Sequence, residues 1–501
     1  MPRITCPQLA QKVTTAETAA QYIHPGDNVG MSGFTGSGYP KAVPSALAKR
    51  IRAAHETGQD FSIGLFTGAS TAPELDGVLA EVDGVHLRAP FMGDPTMRKA
   101  INDGRVEYND VHLSHLAQQV WFGHYGKLDV AVVEVSAILP NGLLVPGSSV
   151  GNNKTWLDLA DRVILEVNEW QPEHWEGFHD VYYGTRVPPH RNPIQLLEPN
   201  QRIGDPYLRV DPDKVVAVVK TNAPDRDNAF SPVDANSEAI AGHLIDFLRH
   251  EVRAGRMPKS LLPIQSGVGN VANAVLAGLA DSEFEHLTSF TEVIQDGLLD
   301  LVESGKIDSV SATGFSLSRE RAERFHADIA NYKGRVLLRP QEISNHPETI
   351  RRLGVIAING MLESDIYGHV NSTNVSGSKM MNGIGGSGDF ARNGFLNFFV
   401  SSSTAKRGAV SSIVPFASHV DHTEHDVHVL VTERGIADLR GTSPVQRARR
   451  IIRECAHPDY QDRLLDYLDR AIAANPHAQH EPHILAEALS WHVNLAETGH
   501  M

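Results

Sequence analysis

What most constrains this chain is an alternation that recurs along its length. Short apolar, β-branched runs are followed by glycine-rich or polar turns and then by helical stretches. Residues 128–135 (L-D-V-A-V-V-E-V) and 162–167 (R-V-I-L-E-V) are the plainest strands, and 28–31, 61–66 and 214–219 read the same way. Helices are expected over residues 15–23, closed by Pro25-Gly26, over 43–54, and over 237–254, where Gly255 and Pro258 end the run. Strands that alternate with helices specify α/β architecture with a largely parallel sheet. At 501 residues the chain exceeds what one core organises, so two domains are expected. Residues 192–234, rich in proline, asparagine and aspartate, read as their connection.

The second half repeats the first. A strand running into Ser32-Gly33 and a helix has its counterpart in residues 261–264, Ser266-Gly267 and an alanine-bearing helix over 272–279. Gly142 and Gly151 are nine residues apart, as are Gly368 and Gly377. The loop at Ser148-Ser149 answers to Asn371-Ser372-Thr373-Asn374. Fixed spacing with like flanks points to two related open α/β domains, expected face to face. The rival reading is chance likeness of two generic α/β units. The repeat has one asymmetry: Thr67-Gly68-Ala69 in the first half, Thr291-Glu292-Val293 in the second. Only the second carries an acid.

That acid lies in residues 288–297, T-S-F-T-E-V-I-Q-D-G, where Gln295-Asp296-Gly297 reads as the turn out of a strand. Carboxyl ends of strands facing a crevice are where open α/β sheets place chemistry. Upstream, the apolar run 261–264 passes through Gln265, Ser266, Gly267, Val268 and Gly269 into a helix, an arrangement that cradles anions on free backbone N–H groups. Cradle and carboxylate are expected to face one pocket. Two other readings stand beside this. Gly267, Gly269 and Ala272 satisfy G-x-G-x-x-A, which with Glu292 as the downstream acid would suit a nicotinamide-linked dehydrogenase. Alternatively, the glycines merely permit a tight turn and Glu292 is a charge-paired strand end.

Three longer motifs go further: residues 265–275 (Q-S-G-V-G-N-V-A-N-A-V), 291–297 (T-E-V-I-Q-D-G) and 381–390 (M-N-G-I-G-G-S-G-D-F). In this order they resemble the acetyl-CoA hydrolase/transferase family of class I CoA-transferases, nearest the succinyl-CoA:acetate type, and the likeness runs from Gly33 to Trp491. The resemblance implies a CoA-transferase/NagB-like fold with domains 1–225 and 226–501, an active site at their interface, and a homodimer. It implies that Glu292 is a nucleophile that carries CoA as a thioester, and that Asn345 supports it. The backbone of Val268 and Gly386 would be the oxyanion donors. Arg226 and Glu433 match further active-site positions. Gln265, Ser266, Gly267, Val268, Gly269, Asn382, Gly383, Gly386 and Lys406 would hold CoA. An acyl-CoA hydrolase shares this nucleophile, and a non-catalytic ligand-sensing module is the reading from another class. Without the resemblance, Arg226, Lys406 and Glu433 are ordinary surface charges and Asn345 a helix cap before Pro347.

Composition closes off other classes. A formal net charge of −15 argues against a general nucleic-acid binder. Cys6 and Cys455, the two cysteines, offer neither a disulfide framework nor a zinc spacing. The stretch His419, Asp421, His422, Glu424, His425, Asp426, His428 lacks the H-E-x-x-H form and reads as a polar connecting loop, so no metal is expected there, and the resemblance implies no permanently bound cofactor. No secretory core follows Met1, and no run is long enough to span a membrane. The expectation is a cytoplasmic enzyme whose partners are small acyl-CoA and carboxylate substrates.

Overall fold

The computed structural model describes residues 2–228, 232–267 and 269–501. They fall into two compact α/β units, one formed by residues 1–229 with 288–353, the other by 230–287 with 354–501.

The first unit is built on an eight-stranded sheet. Its strands come from β1 (Val13–Thr14), β2 (Asn28–Met31), β3 (Ile63–Phe66), β4 (Val85–Ala89), β5 (Glu107–Tyr108) and β6 (Val130–Val135). A small antiparallel hairpin, β7 (Ala137–Ile138) and β8 (Leu144–Val145), stands outside the sheet, which β9 (Arg162–Asn168) and β10 (Val215–Thr221) complete. The order is β1-β10-β9-β6-β2-β3-β4-β5, and every neighbouring pair is parallel. All six residues of β6 are buried, which is why it reads as an apolar run interrupted only by Glu134 and shows no alternation. Helix Val43–Glu56 follows the β2 turn as expected. The helix expected over residues 15–23 is shorter, Ala16–Ala20, with the Thr15 hydroxyl accepting from Thr18 N–H as its cap, and a further turn, Pro7–Ala10, precedes it.

Two expectations need correcting. Residues 192–228 are built into this unit and do not form a connector, since β10 sits between β1 and β9. The apolar β10 decides the matter, and the proline and aspartate before it are only its approach. Gln295-Asp296-Gly297 is likewise no turn: helix Asp296–Glu303 begins there. The Asp296 carboxylate suits the positive end of that helix, and it also accepts from Ser318 N–H and Oγ at 3.0 and 2.6 Å.

In the second unit, Ile264–Ser266, Ile356–Gly360, Leu396–Val400 and Val429–Thr432 pair parallel in that succession, and Gly435–Asp438 closes antiparallel. Each strand lies beside the next one in this list, as do β2, β6, β9 and β10. The repeat extends to backbone conformation. Gly142 and Gly368 have φ of +82° and +96°, and Gly151 and Gly377 have +46° and +72°, all in the left-handed region that favours glycine. Among the described residues no helix is long and apolar enough to cross a membrane.

Candidate active site

Glu292 occupies the two-residue break between strands Leu287–Phe290 and Val293–Gln295. A strand would turn its side chain to a fixed face; the break frees it. Its backbone is nevertheless fixed, because Glu292 C=O accepts from the N–H of Thr313 and Gly314 at 2.9 and 3.3 Å, and Thr291 N–H donates to Ser311 C=O at 2.9 Å. Thr313 ties this segment to the loop singled out at Ser148-Ser149. Its C=O accepts from Val150 N–H at 2.8 Å, and its Oγ1 accepts from Gly151 N–H at 3.1 Å while donating to Arg339 C=O at 2.8 Å. Arg339 is buried, donates from Nε to Ser311 Oγ at 2.8 Å, and is ion-paired with the equally buried Asp180. Burial lowers Arg339 to about 10, opposed by Asp180, so it stays charged at neutral pH.

The Glu292 carboxylate accepts from Asn345 Nδ2 at 2.5 Å. The residue is half-buried, yet protein surrounds its carboxylate closely enough that burial pushes its pKa from 4.5 to about 7. The Asn345 hydrogen bond works against that rise by favouring the charged form. No charged group is among the causes. The next residue, Val293, packs in an apolar cluster with Phe34, Ala69 and Leu113, with Phe91 at its edge.

The sister position explains the asymmetry of the repeat. A Cβ on Gly68 would lie 2.7 Å from Gly33 O, 2.9 Å from Gln341 Oε1 and 3.0 Å from Phe34 Cδ2. A side chain there would have to displace the Gly33 carbonyl, which disfavours a carboxylate in the first copy.

The other expected residues stand as follows. Arg226 is exposed beside Gly36, to whose C=O its N–H donates at 3.0 Å, and its guanidinium donates to Thr71 C=O at 3.4 Å. In the second unit, Gln265 is buried and stitches neighbouring strands, its Oε1 accepting from Ile358 N–H at 3.0 Å. Gly269, with φ of +119°, leads into helix Asn270–Ala280, while Val268 lies outside the described residues. Gly386 is buried and caps the N-terminus of helix Ser387–Asn393. Glu433 accepts from Ser403 N–H at 2.7 Å and from its Oγ. That bond fixes the base of the Thr404–Ala405/Val410–Ser411 hairpin, at whose tip Lys406 is exposed with φ of +47°.

Sequence reasoning missed the supports: Thr313, Gln341, the Arg339–Asp180 pair, and a buried cluster under the residue 33–41 loop. There Lys41 Nζ meets Glu134 and Asp225 at 2.6 and 2.8 Å. Burial alone would discharge Lys41, but the two carboxylates outweigh it and hold the ammonium protonated. Pairings so distant in sequence leave no local signal. The histidine-rich loop does not act as one group. His422 faces Ser387, His419 pairs with Asp421, and Glu424 joins His369 and Glu481, with ligand-type atoms within 4.8 Å of one another. His369 is already engaged on both ring nitrogens, by Asp365 and Glu424 at 3.0 and 2.8 Å.

Residues 5–220 match the acetyl-CoA hydrolase/transferase N-terminal domain and residues 322–468 its C-terminal domain. The chain is 50% identical over 499 residues to succinyl-CoA:acetate CoA-transferase of Clostridium kluyveri, covering 100% of this chain and 92% of that one. It is 46% identical over 514 residues to an acetyl-CoA hydrolase of Schizosaccharomyces pombe, covering 100% and 98%. The crystal structure of RipA from Yersinia pestis superposes with a TM-score of 0.72 at 23% identity, over 92% of this chain and 98% of that one, a likeness of fold alone. Two matched domains and relatives this similar over the whole length establish that the chain belongs to the acetyl-CoA hydrolase/transferase family of class I CoA-transferases, enzymes of CoA transfer or hydrolysis on short acyl-CoAs.

Proposed function

We propose that this enzyme moves CoA between short-chain carboxylates, succinyl-CoA and acetate giving acetyl-CoA and succinate, through a glutamyl-CoA thioester on Glu292. The observation that carries the reading is a carboxylate fixed by one amide, with no charged group among the described residues shifting it, in a setting that raises its pKa to about 7. Such a carboxylate is poorly solvated and therefore reactive when ionised. It attacks the acyl-CoA carbonyl. The C–S bond breaks, leaving a mixed anhydride and CoA thiolate. The thiolate attacks the glutamyl carbonyl, expels the first carboxylate, and forms the enzyme thioester. An incoming carboxylate reverses both steps. Thioester is exchanged for thioester, so the scheme calls for no ATP.

Both additions pass through tetrahedral oxyanions, for which the backbone N–H groups of Val268 and Gly386 are the proposed donors. Arg226 is proposed to engage a substrate carboxylate, and Glu433 to act by holding its hairpin. Gln265, Ser266, Gly267, Gly269, Asn382, Gly383 and Lys406 are proposed to hold CoA. Domains 1–225 and 226–501, the first supported by the match at 5–220, a homodimer and a cytoplasmic setting without resident cofactor complete the reading. The similarity to an acetyl-CoA hydrolase favours one second reading, in which water resolves the thioester. Incubation with succinyl-CoA, with and without acetate, separates the two. Transfer predicts acetyl-CoA and no free thiol, whereas free CoA released at one rate in both arms would assign hydrolysis.

A further inference from the structure

Asn345 can orient Glu292 only if it is itself held. It is the C-cap of a single helical turn, Gln341–Ser344, with its N–H donating to Gln341 C=O at 2.8 Å. One turn fixes several dihedral angles for very few hydrogen bonds and has no stability of its own. Its place must come from outside. Two contacts come from Gln341, whose N–H donates to Gly151 C=O at 3.0 Å and whose Nε2 donates to Leu113 C=O at 3.1 Å. The third is of another kind. Thr185 Oγ1 donates to Glu342 Oε1 at 2.7 Å, and both side chains are buried. Behind them the buried Lys154 donates to Thr185 C=O at 3.3 Å, pairs with Asp158 at 3.1 Å, and lies 5.2 and 5.7 Å from the rings of Trp121 and Tyr183.

A buried carboxylate on a single turn is expensive, and an apolar residue of similar volume would cost less. Departures from local rules concentrate where function requires them. We propose that Thr185 and Glu342 are positioning residues for the reaction, clamping the Gln341–Ser344 turn so that the Asn345 amide stays on the Glu292 carboxylate. The proposal rests on the reading of Glu292 as nucleophile. The groups that act on Glu342 are its own burial, Lys154, the Thr185 hydroxyl, Arg191 and Asp158. On Glu292 they are burial and the Asn345 amide.

The test is the pH profile of kcat/KM for succinyl-CoA, with the thermal midpoint measured alongside. Thr185→Val is expected to move the acid limb upward by about 0.5–1 pH unit, a partial loss of one charge-assisted hydrogen bond, with kcat reduced more than KM is raised. Thr185→Ser restores the wild-type limb. Glu342→Gln, which keeps an acceptor but changes the group Thr185 holds, moves it the same way by less and serves if the valine variant does not fold. A lower thermal midpoint with an unmoved limb in both variants means a merely structural role and overturns the proposal. Asn345→Ala separates the layers. If it moves the limb and Thr185→Val and Glu342→Gln do not, the clamp fails and the nucleophile reading stands; if it moves nothing, the Asn345–Glu292 reading fails first.

Discussion

Removal of the Asn345 amide is the perturbation whose consequence can be followed furthest. In Asn345→Ala the carboxylate of Glu292 loses the hydrogen bond it accepts at 2.5 Å, while the burial that raises it remains. A hydrogen bond to an ionised group contributes about 1.5–3 kcal/mol, and about 1.4 kcal/mol corresponds to one pKa unit. Glu292 should therefore rise from about 7 by a further ~1–2 units. At pH 7 the ionised fraction would fall from about one half to about one tenth or less. The assay is kcat/KM for succinyl-CoA between pH 5.5 and about 9.5, the range that brackets both limbs. A loss of about 5- to 50-fold at pH 7 should shrink as pH rises. A loss equal at every pH would refute the argument, because it would mean that the amide places the carboxylate without governing its ionisation.

Three further outcomes follow from the same geometry. Glu292 has a folded-state pKa raised above its unfolded value, so its contribution to stability is present below about 4.5 and lost as pH rises through about 7. Glu292→Gln should accordingly melt higher than wild type at pH 8, by about 1–3 kcal/mol in chemical denaturation, with the gap closing toward pH 4.5. Gly68→Ala forces a methyl against Gly33 O and Gln341 Oε1 and should cost about 1–3 kcal/mol. A denaturation midpoint equal to wild type would show that the backbone yields. Asp180→Ala strands the buried Arg339 guanidinium and should cost about 3–5 kcal/mol, whereas the double variant Asp180→Ala/Arg339→Met should recover part of it, both read from denaturation curves.

How much of this was legible beforehand differs by level. The parallel sheets were, because β6 and its neighbours are buried along nearly their whole length and their sequences are mostly apolar. The repeat was legible from glycine spacing, since left-handed φ at Gly142, Gly151, Gly368 and Gly377 narrows the choice of residue. Asp296-Gly297 misled, because a residue pair that makes good turns also makes an acceptable first helical turn. The segment before β10 misled because composition reports coil and cannot say where the coil leads. Glu292 stood out by its motif and by the missing acid at Gly68. The supports at Thr313, Gln341, Thr185 and Arg339 did not, because hydrogen bonds between residues far apart in sequence leave no periodicity to read.

The central claim is covalent, and mass measurement reaches it most directly. The protein is incubated with succinyl-CoA and no acceptor, trapped with hydroxylamine or borohydride, digested and mapped. A CoA adduct, or its trapping product, is expected on the peptide that carries Glu292, and none in Glu292→Ala. An unmodified Glu292 peptide, together with transferase activity surviving in Glu292→Ala, would contradict it.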